Sequence, residues 1–98
     1  MEINIKHGDN LIIELNGRLD SSTSHILEQK INSENIKEEV VILDFKNLDY
    51  ISSAGLRILL SLKKNLEAQS KQLEIHNINS VVREVFRVTG FINVLTIK

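Results

Sequence analysis

A chain of 98 residues with 12 basic and 13 acidic side chains carries a formal net charge of −1, too little positive charge to grip nucleic acid regardless of sequence. It has no cysteine, which excludes a disulfide framework and a thiolate metal site, and no proline, which removes slow X-Pro isomerisation from folding. No apolar run nears the roughly 18 to 20 residues that cross a bilayer, and Met1–Lys6 lacks a signal peptide's apolar core. One small cytoplasmic domain, residues 1–98, is therefore expected, with a core of Leu, Ile and Val because aromatics are scarce.

Ile3 and Ile5 alternate with Glu2, Asn4 and Lys6, the period of a half-buried strand. Gly8-Asp9-Asn10 supplies turn residues, and Leu11, Ile13 and Leu15 then alternate with Ile12, Glu14 and Asn16. The two segments read as an antiparallel hairpin. Gly17-Arg18-Leu19-Asp20 leads out of it. Ser21, Ser22 and Thr23 are each competent helix caps, since a side-chain oxygen can accept from an otherwise unpaired N–H. A short helix from about Ser22 to Ser33 follows, with Ile26, Leu27 and Ile31 at helical spacing.

Val40 to Phe45 is the strongest strand, apolar but for Asp44, and its near-continuous apolar character suits a central position. A polar turn then leads to Ser52 and Ser53, and a long amphipathic helix runs from Ala54 to about Ala68. Leu56, Leu59, Leu60, Leu62 and Leu66 are assigned to its core face with Ile58 flanking, and Arg57, Ser61, Lys64 and Ala68 to its solvent side. Leu73 and Ile75 mark another strand. Asn77, Asn79 or Ser80 can cap a third helix in which Val82, Val85, Phe86 and Thr89 share a face. Gly90 stands where a left-handed C-cap is wanted, and Phe91 to Ile97 closes the chain as a turn and short strand.

The order β-β-α-β-α-β-α-β predicts an α/β fold with a mixed sheet of four to five strands. It should be mostly parallel after the N-terminal hairpin, because each helix is a crossover, and the crossovers should be right-handed. The first, second and fourth strands each keep a polar face, so the helices are expected on one side of the sheet, as in a continuing β-α superhelix.

Enzymatic constellations are missing. Gly55 stands alone, without the GxxxxGK[ST] loop that cradles phosphates, and there is no GxSxG elbow or general base placed beside Ser53. His7, His25 and His76 show no ligand spacing with carboxylates and are read as surface residues. No catalysis, metal or cofactor is expected. Ser52 and Ser53 remain. Either could simply cap the helix, a contribution of about 1 kcal/mol. Alternatively, one is modified: a phosphate adds roughly 1.5 to 2 negative charges, which the unpaired N–H groups and partial positive charge of a helix N-terminus tolerate. The fold would survive and the effect would fall on partners. Arg57, one turn on from Ser53, could reach such a phosphate or be an ordinary solvated arginine.

Gly17-Arg18-Leu19-Asp20 after a strand, then Leu43-Asp44-Phe45, then Tyr50-Ile51-Ser52-Ser53-Ala54-Gly55-Leu56 together resemble the STAS domain. The likeness covers almost the whole chain and is strongest to the single-domain bacterial anti-sigma factor antagonists. It implies a non-enzymatic regulator that binds an anti-sigma factor, itself a serine kinase of the GHKL ATPase type, and so releases a sigma factor. The kinase phosphorylates a serine at the start of the second long helix, the complex dissociates, and a serine phosphatase reverses the step. Matched motif to motif, that serine is Ser53, with Ser52 the second choice, and the partner surface comprises Arg18, Asp20, Ser52, Ser53, Ala54, Gly55 and Arg57. Two residues depart from the family pattern. Ser52 stands where aspartate is common, and Arg18 where glutamate is common, which reverses a charge beside the expected interface. A rival reading is a STAS subunit that docks on an ABC transporter ATPase in lipid trafficking and needs no phosphorylation. A nucleotide-binding signalling module is a third, without a phosphate loop to support it. Direct contact with nucleic acid or membrane is not expected.

Overall fold

In the computed structural model, which describes residues 1–98, the elements run β1 (Glu2–Lys6), β2 (Leu11–Leu19), α1 (Ser24–Asn32), β3 (Val40–Ile51), α2 (Ser53–Ala68), β4 (Gln72–His76), α3 (Ser80–Thr89) and β5 (Thr96–Ile97). One 3-10 turn, Phe91–Asn93, precedes the last strand. The strands form a single five-stranded sheet in chain order, β1-β2-β3-β4-β5. β1 is antiparallel to β2 and every later pair is parallel, the mixed sheet that the hairpin and three crossovers require.

Alternation sorts the two faces. Leu11, Ile13 and Leu15 of β2, Val41, Leu43 and Phe45 of β3, and Leu73 and Ile75 of β4 join the apolar stripes of the helices in one buried cluster of 20 side chains. Fully burying such a side chain contributes about 1.5–3 kcal/mol, so this face dominates the fold's stability. The intervening Ile12, Glu14, Asn16, Asp44 and Glu74 are only half-buried, and Ile42, though buried, lies outside the cluster. The helices therefore cover one face and the other is partly wet.

β3 corrects the sequence reading. It does not give way to a polar turn after Phe45 but keeps pairing with β2 to Leu19↔Ile51. The register slips twice, from Glu14↔Asp44 to Asn16↔Asn47 and from Gly17↔Leu48 to Arg18↔Tyr50, each time with one extra residue on β3. Such bulges leave the strand paired while advancing its side chains by an odd step. The buried positions thus run Phe45, Leu48, Ile51 at spacing three rather than two, a pattern that alternation cannot detect. Gly17, at φ +107°, sits where β2 answers the second slip.

Smaller corrections concern the helices. α1 starts at Ser24, and no side-chain hydrogen bond caps it. Leu27 and Ile31 are buried with Ser24, but Ile26 is 49% exposed because the stripe is narrower than drawn. In α2, Leu56, Leu59, Leu62 and Leu66 are buried, whereas Leu60 is only half-buried and outside the cluster. In α3, Val82 and Phe86 are buried, Val85 packs on their edge, and Thr89 is exposed, its hydroxyl donating back to the Val85 carbonyl (2.7 Å). Gly90 takes the left-handed C-cap expected of it.

Candidate functional site

The carboxyl ends of β2 and β3 meet the start of α2, and there Gly17–Asp20 and Tyr50–Leu56 come together, while Leu43-Asp44-Phe45 lies in the first half of β3. The Ser52 N–H donates to the Leu19 carbonyl (2.9 Å), tying the end of β3 to β2 just as the helix begins. Ser52 itself is extended (φ −98°, ψ 176°), and its Oγ accepts the Gly55 N–H at 3.3 Å while its carbonyl takes the Leu56 N–H. It is the N-cap. Ser53 is the first helical residue, exposed, with its hydroxyl in no hydrogen bond within the chain. The two serines, equal in the sequence, are thereby divided: one holds the helix, the other is free. Because serine and aspartate cap about equally well, the Ser52 departure leaves the local geometry intact.

Gly55 is buried and belongs to packing rather than to an outer surface. A Cβ there would lie 2.8 Å from the Leu19 carbonyl oxygen and 2.8 Å from the Ile51 side chain, so only glycine lets the first turn of α2 approach the end of β2. Ala54 is half-buried. Arg57 is exposed, enters no ion pair, and stands four residues on from Ser53, where helical side chains are neighbours.

Arg18 and Asp20 turn out to do different things. In the ladder Arg18 faces Tyr50, and its guanidinium lies 4.5 Å over the Tyr50 ring, with Nε 3.8 Å from Asp20 Oδ2. Asp20 is occupied internally: Oδ1 accepts the Ser22 hydroxyl (2.7 Å), the Ser22 N–H (3.0 Å) and the Thr23 N–H (3.2 Å). The bond from the Ser22 hydroxyl, first, and those from the Ser22 and Thr23 amides hold its carboxyl below the usual aspartate range, although desolvation opposes them. Thr23 completes the turn, its Oγ1 accepting from the Asp20 N–H (2.9 Å) and donating to the Arg18 carbonyl (2.7 Å). Asp20, expected to face a partner, is thus a turn-forming residue only partly open to solvent. Of the three candidate caps for α3, Asn79 does the work. Its Oδ1 accepts the Val82 N–H (2.8 Å) and its Nδ2 donates to Leu48 at 2.9 Å, anchoring α3 to the bulged end of β3.

His7 and His25 are exposed, as read, but His7 has carboxylate partners that its spacing did not reveal: Nδ1 lies 2.9 Å from Glu38 and Nε2 2.7 Å from Glu34. A carboxylate on each ring nitrogen can be satisfied at once only by the imidazolium. The bonds to Glu34 and then Glu38 accordingly raise the His7 pKa above 6.5. Burial of Glu38 opposes its ionisation, but backbone N–H groups of Glu38 and Gly8 and the His7 ring outweigh it and lower its pKa. His7 and Glu38 flank an open cleft of about 900 Å³, Val40 its one hydrophobic lining residue, between the β1–β2 turn and the segment entering β3. His76 contacts Glu74 at 2.9 Å, and His25 is exposed. No group of three or more His, Cys, Asp or Glu side chains is placed to hold a metal ion. No helix is long and apolar enough to cross a membrane. The Tyr50 stack and the His7 clamp left no trace in local spacing, since their partners lie 27 to 32 residues away.

Comparison with known proteins agrees with this fold. The family model of the STAS domain matches residues 2–98. BtrV of Bordetella bronchiseptica, assigned as an anti-sigma factor antagonist, is 38% identical over 88 residues, spanning 89% of this chain and 76% of BtrV. A crystal structure assigned to an anti-sigma factor antagonist from Thermotoga maritima superposes with a TM-score of 0.88 at 18% identity, covering 97% of this chain and 84% of the other. The phosphorylated form of SpoIIAA, a Bacillus cell fate determinant, superposes with a TM-score of 0.72 at 21% identity, covering 99% and 91%. At those identities the structural likenesses speak to the fold alone. The family match along nearly the whole sequence and the similarity to BtrV establish that the chain belongs to the STAS domain family.

Proposed function

We propose that the protein is an anti-sigma factor antagonist, a binding module rather than an enzyme, switched off by phosphorylation of Ser53. The observation that carries this reading is the division of labour between the two serines: Ser52 caps α2, which leaves the Ser53 hydroxyl exposed and unengaged at the helix N-terminus. The assignments of BtrV and the Thermotoga maritima protein support the role, and a phosphorylated SpoIIAA of the same fold supports the chemistry. The partner on this reading is an anti-sigma factor with GHKL-type serine kinase activity, and a serine phosphatase restores the binding form.

The switch acts on docking. A dianion at Ser53 stays compatible with the start of α2 but cannot be desolvated against acidic or apolar groups of a docked partner. A penalty of about 3 kcal/mol weakens binding some 150-fold. Incubation with the kinase of the same organism and ATP, followed by mass-spectrometric mapping, should place phosphate on Ser53. Ser53→Asp should lose the complex and Ser53→Ala should bind it constitutively without accepting phosphate. An active kinase that leaves Ser53 unmodified overturns the mechanism.

A further inference from the structure

Arg18 is one of two exposed arginines, with Arg57, where the carboxyl ends of β2 and β3 meet α2. Its side chain is 61% exposed, and its contact with Asp20 is a long one, Nε to Oδ2 at 3.8 Å. The terminal nitrogens of the guanidinium donate to no group of the chain. Asp20 Oδ2 faces it, but at 3.8 Å from Nε the contact is too long for a hydrogen bond, so the guanidinium N–H groups remain available. Asp49, on the same edge, is exposed and pairs with neither arginine. The Tyr50 ring beneath the guanidinium holds its plane in place, so little side-chain freedom remains to be lost when a ligand binds. A fixed, outward fork of N–H donors matches a carboxylate in bidentate fashion.

The position also discriminates between kinds of anion. Leu19 is buried in the core on the helix side of the sheet, so by strand alternation Arg18 springs from the helix-free side. Ser53 opens α2, on the other side of the same edge. Arg18 therefore stands beside the proposed phosphoacceptor rather than on it, and a docked protein would meet it with a side chain of its own.

We infer that Arg18, oriented by Tyr50, is a specificity-determining residue for docking, and that the partner presents an aspartate or glutamate opposite it. This rests on the antagonist reading. The complex is selected by opposite charge at this point, and a partner with a basic residue there is rejected.

The test is calorimetric titration of the purified anti-sigma factor kinase of the same organism with four variants, each checked by thermal melting for an intact fold. Arg18→Gln should weaken binding about 30-fold or more, the range for removing one member of a desolvated charge pair, and Arg18→Glu further still. Lys64→Glu, an equal charge change at an exposed site further along α2, should stay within about threefold. Tyr50→Leu, which removes the platform, should weaken binding about fivefold while Arg18 remains. An acidic residue of the kinase changed to arginine should restore binding to Arg18→Glu and weaken it for the wild type. Wild-type binding that Arg18→Glu changes no more than Lys64→Glu does, or that no acid-to-arginine change rescues, overturns the assignment of Arg18 alone. If the wild type does not bind the kinase, the antagonist reading falls and takes this one with it.

Discussion

Ser52 and Ser53 are adjacent, chemically identical, and set to different tasks by one change of backbone conformation. The extended ψ of Ser52 aims its oxygen at the Gly55 N–H, and the helical Ser53 behind it has no comparable target. Ser52→Ala should therefore cost about 1 kcal/mol, read as a lower urea midpoint at unchanged slope, while Ser52→Asp stays within a few tenths. Ser53→Ala should move stability by less than about 0.5 kcal/mol, since an exposed hydroxyl without a partner contributes little. Equal losses for the two alanine variants would contradict the division. The pair itself was legible in the sequence, because hydroxyls between a strand and an amphipathic run mark a helix start. Which one caps was not, since either could reach an N–H and only the backbone angles decide. The turn that Asp20 builds was not legible either, because the amides and hydroxyl that bind its Oδ1 are set by the backbone beyond it.

Among the elements, the seating of α2 on the end of β2 depends on a missing side chain. Replacing glycine by alanine within a helix ordinarily stabilises by up to about 1 kcal/mol. At Gly55 the sign should reverse, because the new methyl would press on the Leu19 carbonyl and the Ile51 side chain at 2.8 Å. Backbone cannot swing away as a flexible side chain can, so Gly55→Ala should destabilise by about 1–3 kcal/mol in denaturant titration. An unchanged or higher midpoint would show that the helix shifts freely. The strands and helices were legible wherever alternation or helical spacing held, as in Leu11, Ile13 and Leu15 or Leu59, Leu62 and Leu66. The second half of β3 was hidden because its two bulges moved the buried positions to a spacing of three, and Lys46, Asn47 and Asp49 then looked like a turn.

For the molecule as a whole, stability should depend on pH through the clamp that joins the β1–β2 turn to the segment between α1 and β3. His7 binds its second proton more tightly when folded, its pKa being raised above 6.5 by Glu34 and Glu38. The clamp's contribution is therefore complete below about pH 6.5 and is lost as pH rises through the higher folded value. Glu38 and Asp20 work in the opposite sense. Their lowered pKa values give stability that is present above the ordinary carboxylate range and lost as pH falls through the folded values. Thermal melts should show the wild type exceeding His7→Gln by a margin that shrinks as pH rises above about 6.5. A margin independent of pH would mean that the ring contributes packing rather than charge.

The coincidence of strand order with chain order has a consequence for how the molecule is made. Each strand from β2 onward finds its earlier neighbour already present, and no gap in the sheet waits for a segment still to come. A chain emerging N-terminus first from the ribosome can add one β-α unit at a time to a single growing edge, with short closures at each step. Among the edges that are later covered is that of β3, the most apolar strand, which stays open until Gln72–His76 arrives. Interruption of synthesis between Ala68 and Gln72 would thus expose the stretch most prone to pairing with a neighbouring nascent chain.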